Sequence, residues 1–382
     1  MLHDNGEISF NSAERGGGAF VRGSCVYDAQ VQAGSFSGIT NNLSSLYGGG
    51  LLQEGTGPLS LRGAVDVPFW FINNIAATDG GAVFLINSTA SRTTALLENV
   101  AMLGNRAGGN VGSAILVAGA IDATMRARSG SGHCALFGVG LGACLALVDN
   151  TLNGAAPLGG VVQLVESTGE SENPTLTVRR TAFIDNHGVN LFSAWGPGRF
   201  DIENVLVSGT HLYAGYAGFP SALFRVEPDA YAYTPSPPPQ RVAFSTIVAT
   251  TRDGSASTVF DHGRSPLDIT GSIVHTPGIP GRNVANVGAV THNGCLLVHE
   301  SSTFPSLPAP PLVAAPGLDW DLIPTQYSAA VDQCAVALAP AVDFHGAPRS
   351  IDQPGVPNGF GPVDLGAIER AADDIIFRNG FE

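Results

Sequence analysis

Ile39-Thr40-Asn41-Asn42 before Gly48-Gly49-Gly50, and Phe71-Ile72-Asn73-Asn74 before Gly80-Gly81, are two copies of one phrase. Its elements are an apolar residue, two spacers, an asparagine and then a glycine cluster. The same phrase reads Ile8 to Asn11 before Gly16-Gly17-Gly18, and Met102 to Asn105 before Gly108-Gly109. Leu147 to Asn150 and Phe183 to Asn186 are further copies. Starts at 8, 39, 71, 102, 147 and 183 give intervals of 31, 32, 31, 45 and 36 residues. Degenerate copies carry threonine instead: Val207 to Thr210, Ile247 to Thr250 and Ile273 to Thr276.

A period of this size with unequal insertions marks a solenoid. The runs between glycines are short and β-rich, as in Ala82-Val83-Phe84-Leu85-Ile86, and lack helical recurrence. Asparagine tolerates the left-handed backbone region and glycine adopts it without steric cost, so both suit a corner repeated on every coil. Stacked asparagines also hydrogen-bond along a stack. The expected fold is therefore all-β, a right-handed parallel β-helix with a small C-terminal capping module; the hand follows the usual rule for parallel crossovers.

The totals agree with this. Hydrophobic residues make up 44% and charged residues 13%, too apolar for a disordered chain, and 49 glycines fit a fold of many turns. No lysine is present: all 18 basic residues are arginines, which excludes lysine-based chemistry. A net charge of −14 argues against nucleic acid as a partner, and against polyanionic sugars unless calcium bridges them.

Of five cysteines, Cys134 with Cys144 and Cys295 with Cys334 are the expected disulfides of an exported protein, leaving Cys25 alone. Five buried thiols are the other reading. The first residues lack the basic start and apolar core of a signal peptide. Yet a coil is already under way at Ile8, so a longer exported precursor or a mis-assigned start is expected. The apolar run from Cys134 to Val148 is too short for a membrane helix.

The β-helix is expected over residues 1–290, with insertions near 119–146 and 211–240. The second insertion holds Tyr213, Tyr216, Tyr231 and Tyr233, and the run Pro235 to Pro239. Ser167 to Asn173, next to Glu166 and containing Glu170 and Glu172, reads as a polar loop. A C-terminal module over 291–369 and a tail over 370–382 complete the chain.

The phrase, with Gly17-Gly18-Ala19 and Gly80-Gly81-Ala82, resembles the repeats of pectin-lyase-like right-handed β-helices, among them the chlamydial polymorphic outer-membrane proteins. The C-terminal module is similar to the choice-of-anchor Q domain of bacterial surface proteins. That pattern is carried by Asp343, Gly346, Arg349, Asp364, Gly366, Ala367 and Glu369. Ser245 to Val248 and Ser272 to Val274 match the two strands before it. The ending Ile376 to Glu382 resembles a short tail on many exported Gram-negative proteins. The resemblance implies secretion or residence at the cell surface or outer membrane, with no established activity. After Glu369 there is no hydrophobic segment or basic cluster of a transpeptidase sorting signal.

Candidate chemistry is sparse. A lyase needs calcium-binding carboxylates with a basic residue nearby, for which Asp185, His187, Arg179 and Arg180 are the candidates. Asp185 also sits inside the phrase, where a turn role explains it equally. Asp261-His262-Gly263-Arg264 invites comparison with polygalacturonases, but the paired aspartates are lacking and a turn is expected. Asp343, Arg349, Asp364 and Glu369 are expected to form a buried network holding the module to the last coil. Trp70, Trp195 and Trp320 are either sugar platforms or packed side chains.

The reading is a non-catalytic, adhesin-like or carbohydrate-binding scaffold meeting carbohydrate or another cell's surface. It is expected as a monomer without transmembrane segment or cofactor. Alternatives are a polysaccharide lyase, with calcium, or a glycoside hydrolase of the same fold, or a structural spacer.

Overall fold

The computed structural model describes residues 6–28, 36–109, 111–131, 145–153, 159–166, 173–214, 220–230, 236–253, 257–277, 279, 288–299, 304 and 310–371. Short strands wind as stacked coils into three long parallel sheets, giving a parallel β-helix. Sheet A is a bent sheet of 18 strands, and sheets B and C have eight each. In each full coil the chain passes from sheet A to B, then C, and back to A.

The phrase marks one rung. Its first residue points into the stack: Ile8, Ile39, Phe71, Met102, Leu147, Phe183, Val207 and Ile247 stand in one parallel register. The next residue in that column is Val274, not Ile273. Ile273 instead faces outward, toward Cys295, Leu297 and Val363. The last copy is thus one residue out of register with the sequence reading.

The residue before each ladder asparagine takes the left-handed conformation: Phe10, Asn41, Asn73, Gly104, Asp149 and Asp185 all have φ between 50° and 65°. The ladder asparagines themselves bond along the stack. Each amide oxygen of Asn42, Asn74, Asn105, Asn150 and Asn186 accepts the preceding asparagine's Nδ2 at 3.0 Å and its backbone N–H at 2.9–3.2 Å. Each Nδ2 from Asn42 to Asn186 also donates to the carbonyl that opens the neighbouring phrase, at 2.8–2.9 Å. The ladder stops where threonine replaces asparagine: the buried hydroxyls of Thr210 and Thr250 make no hydrogen bond among the described residues.

The glycine clusters answer a steric need. A Cβ on Gly49 would lie 2.5 Å from the Gly81 carbonyl, and one on Gly81 2.2 Å from that of Ser113. Coils at this corner approach backbone to backbone, which only glycine permits.

Several expected boundaries move. Ile121–Arg126 is a rung strand paired with Thr93–Glu98, because Ile121, Ala123 and Met125 alternate inward. The stack is therefore not left at Asp122, as the insertion near 119–146 had it, but only after Arg126. His211–Leu212 and Ala222–Glu227 are likewise rungs within the second expected insertion. Leu296–Val298 and Leu312–Val313 continue sheet A beyond residue 290. Cys134, Cys144, Tyr216, Tyr231, Tyr233, Glu170, Glu172 and the tail after Ala371 lie outside the described residues. Cys295 and Cys334 are disulfide-bonded, tying a rung to the module, and Cys25 is a free thiol.

The module lies along the flank of the stack. Phe344, Ala367 and Ile368 pack on an outward column of Trp70, Ala101, Ala146, Ala182 and Leu206. The small alanines leave room for it. Arg180 donates to the Phe344 carbonyl at 2.9 Å, and Ala367 N–H to Thr246 Oγ1 at 2.9 Å. Its contacts extend over several coils rather than the last one alone. No helix among the described residues is long and apolar enough to cross a membrane.

Candidate functional site

The outer face of the third sheet carries a concave surface. Its inward column, Leu51, Val83, Ile115, Val162, Phe192, Phe224 and Phe260, belongs to the internal core, with Phe192 and Phe224 stacked at 4.6 Å. The strands Leu51–Glu54, Val83–Asn87 and Ile115–Gly119 are also apolar at outward positions, where Leu52, Phe84 and Leu116 cluster with Val111 and Ala118.

Over this outer face runs a groove of about 480 Å³. Its floor includes Leu52, Ile86 and Val165. Tyr47, Phe84 and Trp195 supply aromatic surface, and Glu54, Asp79 and Glu166 supply carboxylates. Tyr47 meets Phe84 edge-on at 5.6 Å, and the Arg15 guanidinium lies over the Tyr47 ring at 5.9 Å. Glu54 pairs with Arg22 at 3.2 Å, and Asp79 accepts the Val111 N–H at 3.2 Å. Desolvation raises the pKa of the Glu166 carboxyl. The groove crosses successive rungs from Arg15 to Trp195. With strands about 4.8 Å apart, five intervals give a length of roughly 24 Å.

The four lyase candidates are not brought together. Asp185 is a left-handed corner residue with φ 50°. Arg179 is held by Asp201 at 2.8 Å and Glu203 at 3.4 Å on the outside of sheet A. It continues a column of charges in which Glu98 bridges Arg62 at 3.0 Å and Arg126 at 2.6 Å. Arg180 lies under the module, its pKa lowered by desolvation.

His187 stands on sheet B beside His211, ring centres 5.8 Å apart, with Asp149 at 3.7 Å. His211 bonds Thr251 at 2.9 Å and Asp253 at 3.1 Å, and Tyr213 lies 5.7 Å from its ring. Among the described residues no group of three or more His, Cys, Asp or Glu is arranged to hold a metal ion.

Asp261 ends the strand Thr258–Asp261, and the expected turn begins one residue later: His262 to Ser265, closed by the Ser265 N–H donating to the His262 carbonyl at 3.0 Å. Asp261 faces Arg225 at 3.3 Å while Arg264 pairs with Asp229 at 2.6 Å, so acid and guanidinium are committed elsewhere. Burial lowers the His262 pKa.

The tryptophans divide three ways. Trp70 is buried beneath the module, Trp195 lines the groove, and Trp320 is 85% exposed. The network at the module is present: Arg349 meets Glu369 at 3.5 Å, and Asp343 and Asp364 accept backbone N–H groups of Glu369 and Arg370.

The sequence reading missed the groove. Its signal was available in strands that stay apolar at successive positions, as Val83 to Ile86 do, where Leu59-Ser60-Leu61-Arg62 alternates. The chain matches no protein-family model, no curated protein and no solved structure.

Proposed function

We propose that this protein is an exported, non-catalytic β-helix scaffold that binds carbohydrate along the outer face of its third sheet. One observation carries the reading: Tyr47, Phe84 and Trp195 share an elongated groove with hydrogen-bonding carboxylates. Sugars present apolar ring faces and hydroxyl edges, and aromatic platforms with polar rims suit both. The sequence resemblance to pectin-lyase-like and choice-of-anchor Q surface proteins supports export and says nothing of the ligand. The Cys295–Cys334 bond supports an oxidising compartment.

Calorimetric titration of the full chain with neutral β-linked oligosaccharides tests this. Saturable binding weakened by Tyr47→Ala is expected. No heat with any saccharide would overturn the proposal.

A glycoside hydrolase is the second reading, favoured by three carboxylates in one groove, with Glu166 raised toward the protonated form an acid catalyst needs. Release of reducing ends, abolished by Glu166→Gln, would replace binding by hydrolysis. The lyase reading has weaker support, since Arg179 is already engaged by two carboxylates.

A further inference from the structure

The charges along the groove are unequal. Among the described residues Glu54, Asp79 and Glu166 line it, against the guanidinium of Arg15. Arg15 lies over Tyr47, so one end already shows a cation seated on an aromatic ring. Arg22 answers Glu54 from the edge.

The opposite end is built differently. Glu166 follows Val165 at the end of its strand and hydrogen-bonds through its backbone N–H to the Trp195 carbonyl at 2.9 Å. Its carboxylate occupies the space that a side chain at Gly196 would fill: a Cβ there would lie 2.6 Å from Oε2. Glycine with φ +82° thus leaves the acid beside Trp195. Among the described residues that carboxylate has no hydrogen-bond donor or cationic partner, and burial raises its pKa. An aromatic face next to a partly desolvated carboxylate is a setting for an ammonium group, which gains from both.

We propose that the Glu166–Trp195 end of the groove is a subsite for a protonated amine, and that the saccharide taken carries free amino groups. This rests on the carbohydrate reading above and adds the class of sugar. A uronate would meet three carboxylates and a neutral sugar would leave Glu166 unanswered. An oligomer of unacetylated amino sugars sets an ammonium against Glu166 and ring faces against Trp195, Phe84 and Tyr47.

The test compares hexamers of glucosamine, N-acetylglucosamine and glucose on the full-length chain by calorimetry near pH 6, where amines are charged. The glucosamine hexamer is expected to bind on the order of tenfold more tightly than the other two, with an advantage that shrinks in salt. Glu166→Gln, on a partly exposed side chain, should remove the preference, bringing the affinity for the glucosamine hexamer down to that of the two neutral hexamers measured on the same variant. Equal affinity for all three, or a preference that survives Glu166→Gln, overturns the amine subsite and leaves carbohydrate binding standing. Absence of binding by all three overturns both.

Discussion

Arg349 lays its guanidinium over the ring of Phe244, 4.7 Å from the ring centre, while donating to the Asn204 side chain and to the carbonyls of Gly366 and Ala367 at 2.8 Å each. Asn204 and Phe244 are left-handed corner residues of successive coils of sheet A, with φ 53° and 44°. One buried side chain from the module thereby reads the positions of two coils. Arg349→Ala removes the cation and leaves Glu369, Asn204 and two carbonyls short of a donor. The expected cost is about 3–5 kcal/mol, as for breaking a buried pair. Arg349→Lys keeps the charge but loses the planar fork, and is expected to fall between. Limited proteolysis should cut the module faster in both variants, with the fragments separating once the Cys295–Cys334 bond is reduced, while the coils keep their β-sheet circular dichroism. Protease resistance equal to that of the wild type would refute this anchoring role.

Docking of the module depends on pH through the same cluster. Four donors reach Glu369: Ser350 and Ile351 N–H at 3.0 Å, Asp364 N–H at 3.2 Å and Arg349 at 3.5 Å. They favour the ionised form, but desolvation and the nearby Asp364 outweigh them and push the carboxyl up to about 7. Burial likewise raises Asp364 to about 6. Both values lie above those of an unfolded chain, so the folded state holds more protons between pH 4 and 7. Stability from these groups is complete below the unfolded pKa and is lost as pH rises through the folded values. Melting of the module should therefore move to lower temperature between about pH 4.5 and 7.5, and Glu369→Gln should flatten that dependence. A module that melts higher as pH rises through this window would contradict the assignment.

The asparagine ladder and its threonine continuation predict opposite responses at matching corners. Asn105 is fully buried and uses both ends of its amide, accepting from Asn74 and donating to Phe71 O and to Asn150 Oδ1. Asn105→Ala strands the Asn74 N–H and the Phe71 carbonyl, at about 1–3 kcal/mol for each group left unmade. Thr250 is equally buried, but its hydroxyl has no partner among the described residues. Thr250→Val removes an unpaired polar atom at constant shape and should leave stability equal or higher. Chemical denaturation of the two variants checks the contrast, and equal losses would show that the amides do not act as a ladder.

The coil was legible because its corner needs specific chemistry. A left-handed residue, a bonding amide and a backbone-to-backbone approach each restrict the side chain, so Asn73, Asn74 and Gly81 recur in order. Where the restriction relaxes the reading slips, as at Ile273, whose apolar character suits either face. The charges of Arg179 and His187 were visible, but not their rows, because strand register decides which columns meet. The groove escaped notice for another reason. Its outward residues Leu52, Phe84 and Leu116 look like core in a single sequence, since an unbroken apolar strand shows two apolar faces without telling whether the second meets solvent or another layer. Glu166 and Trp195 are 29 positions apart in the sequence, yet sit on adjacent rungs, Trp195 being paired with Val165.

Trp195 and Trp320 separate groove chemistry from general surface stickiness. Trp320 is 85% exposed in the module, and Trp195 is half-buried at the groove end beside Glu166. If saccharide binds wherever a tryptophan is accessible, Trp320→Ala should weaken it more. If the groove is the site, Trp195→Ala should lower affinity about tenfold, in line with one lost aromatic contact, and Trp320→Ala should change nothing. Neither substitution opens a cavity in the internal core, so thermal stability should stay close to wild type for both. Affinity loss at Trp320 with none at Trp195 would move the binding surface off the third sheet and onto the module.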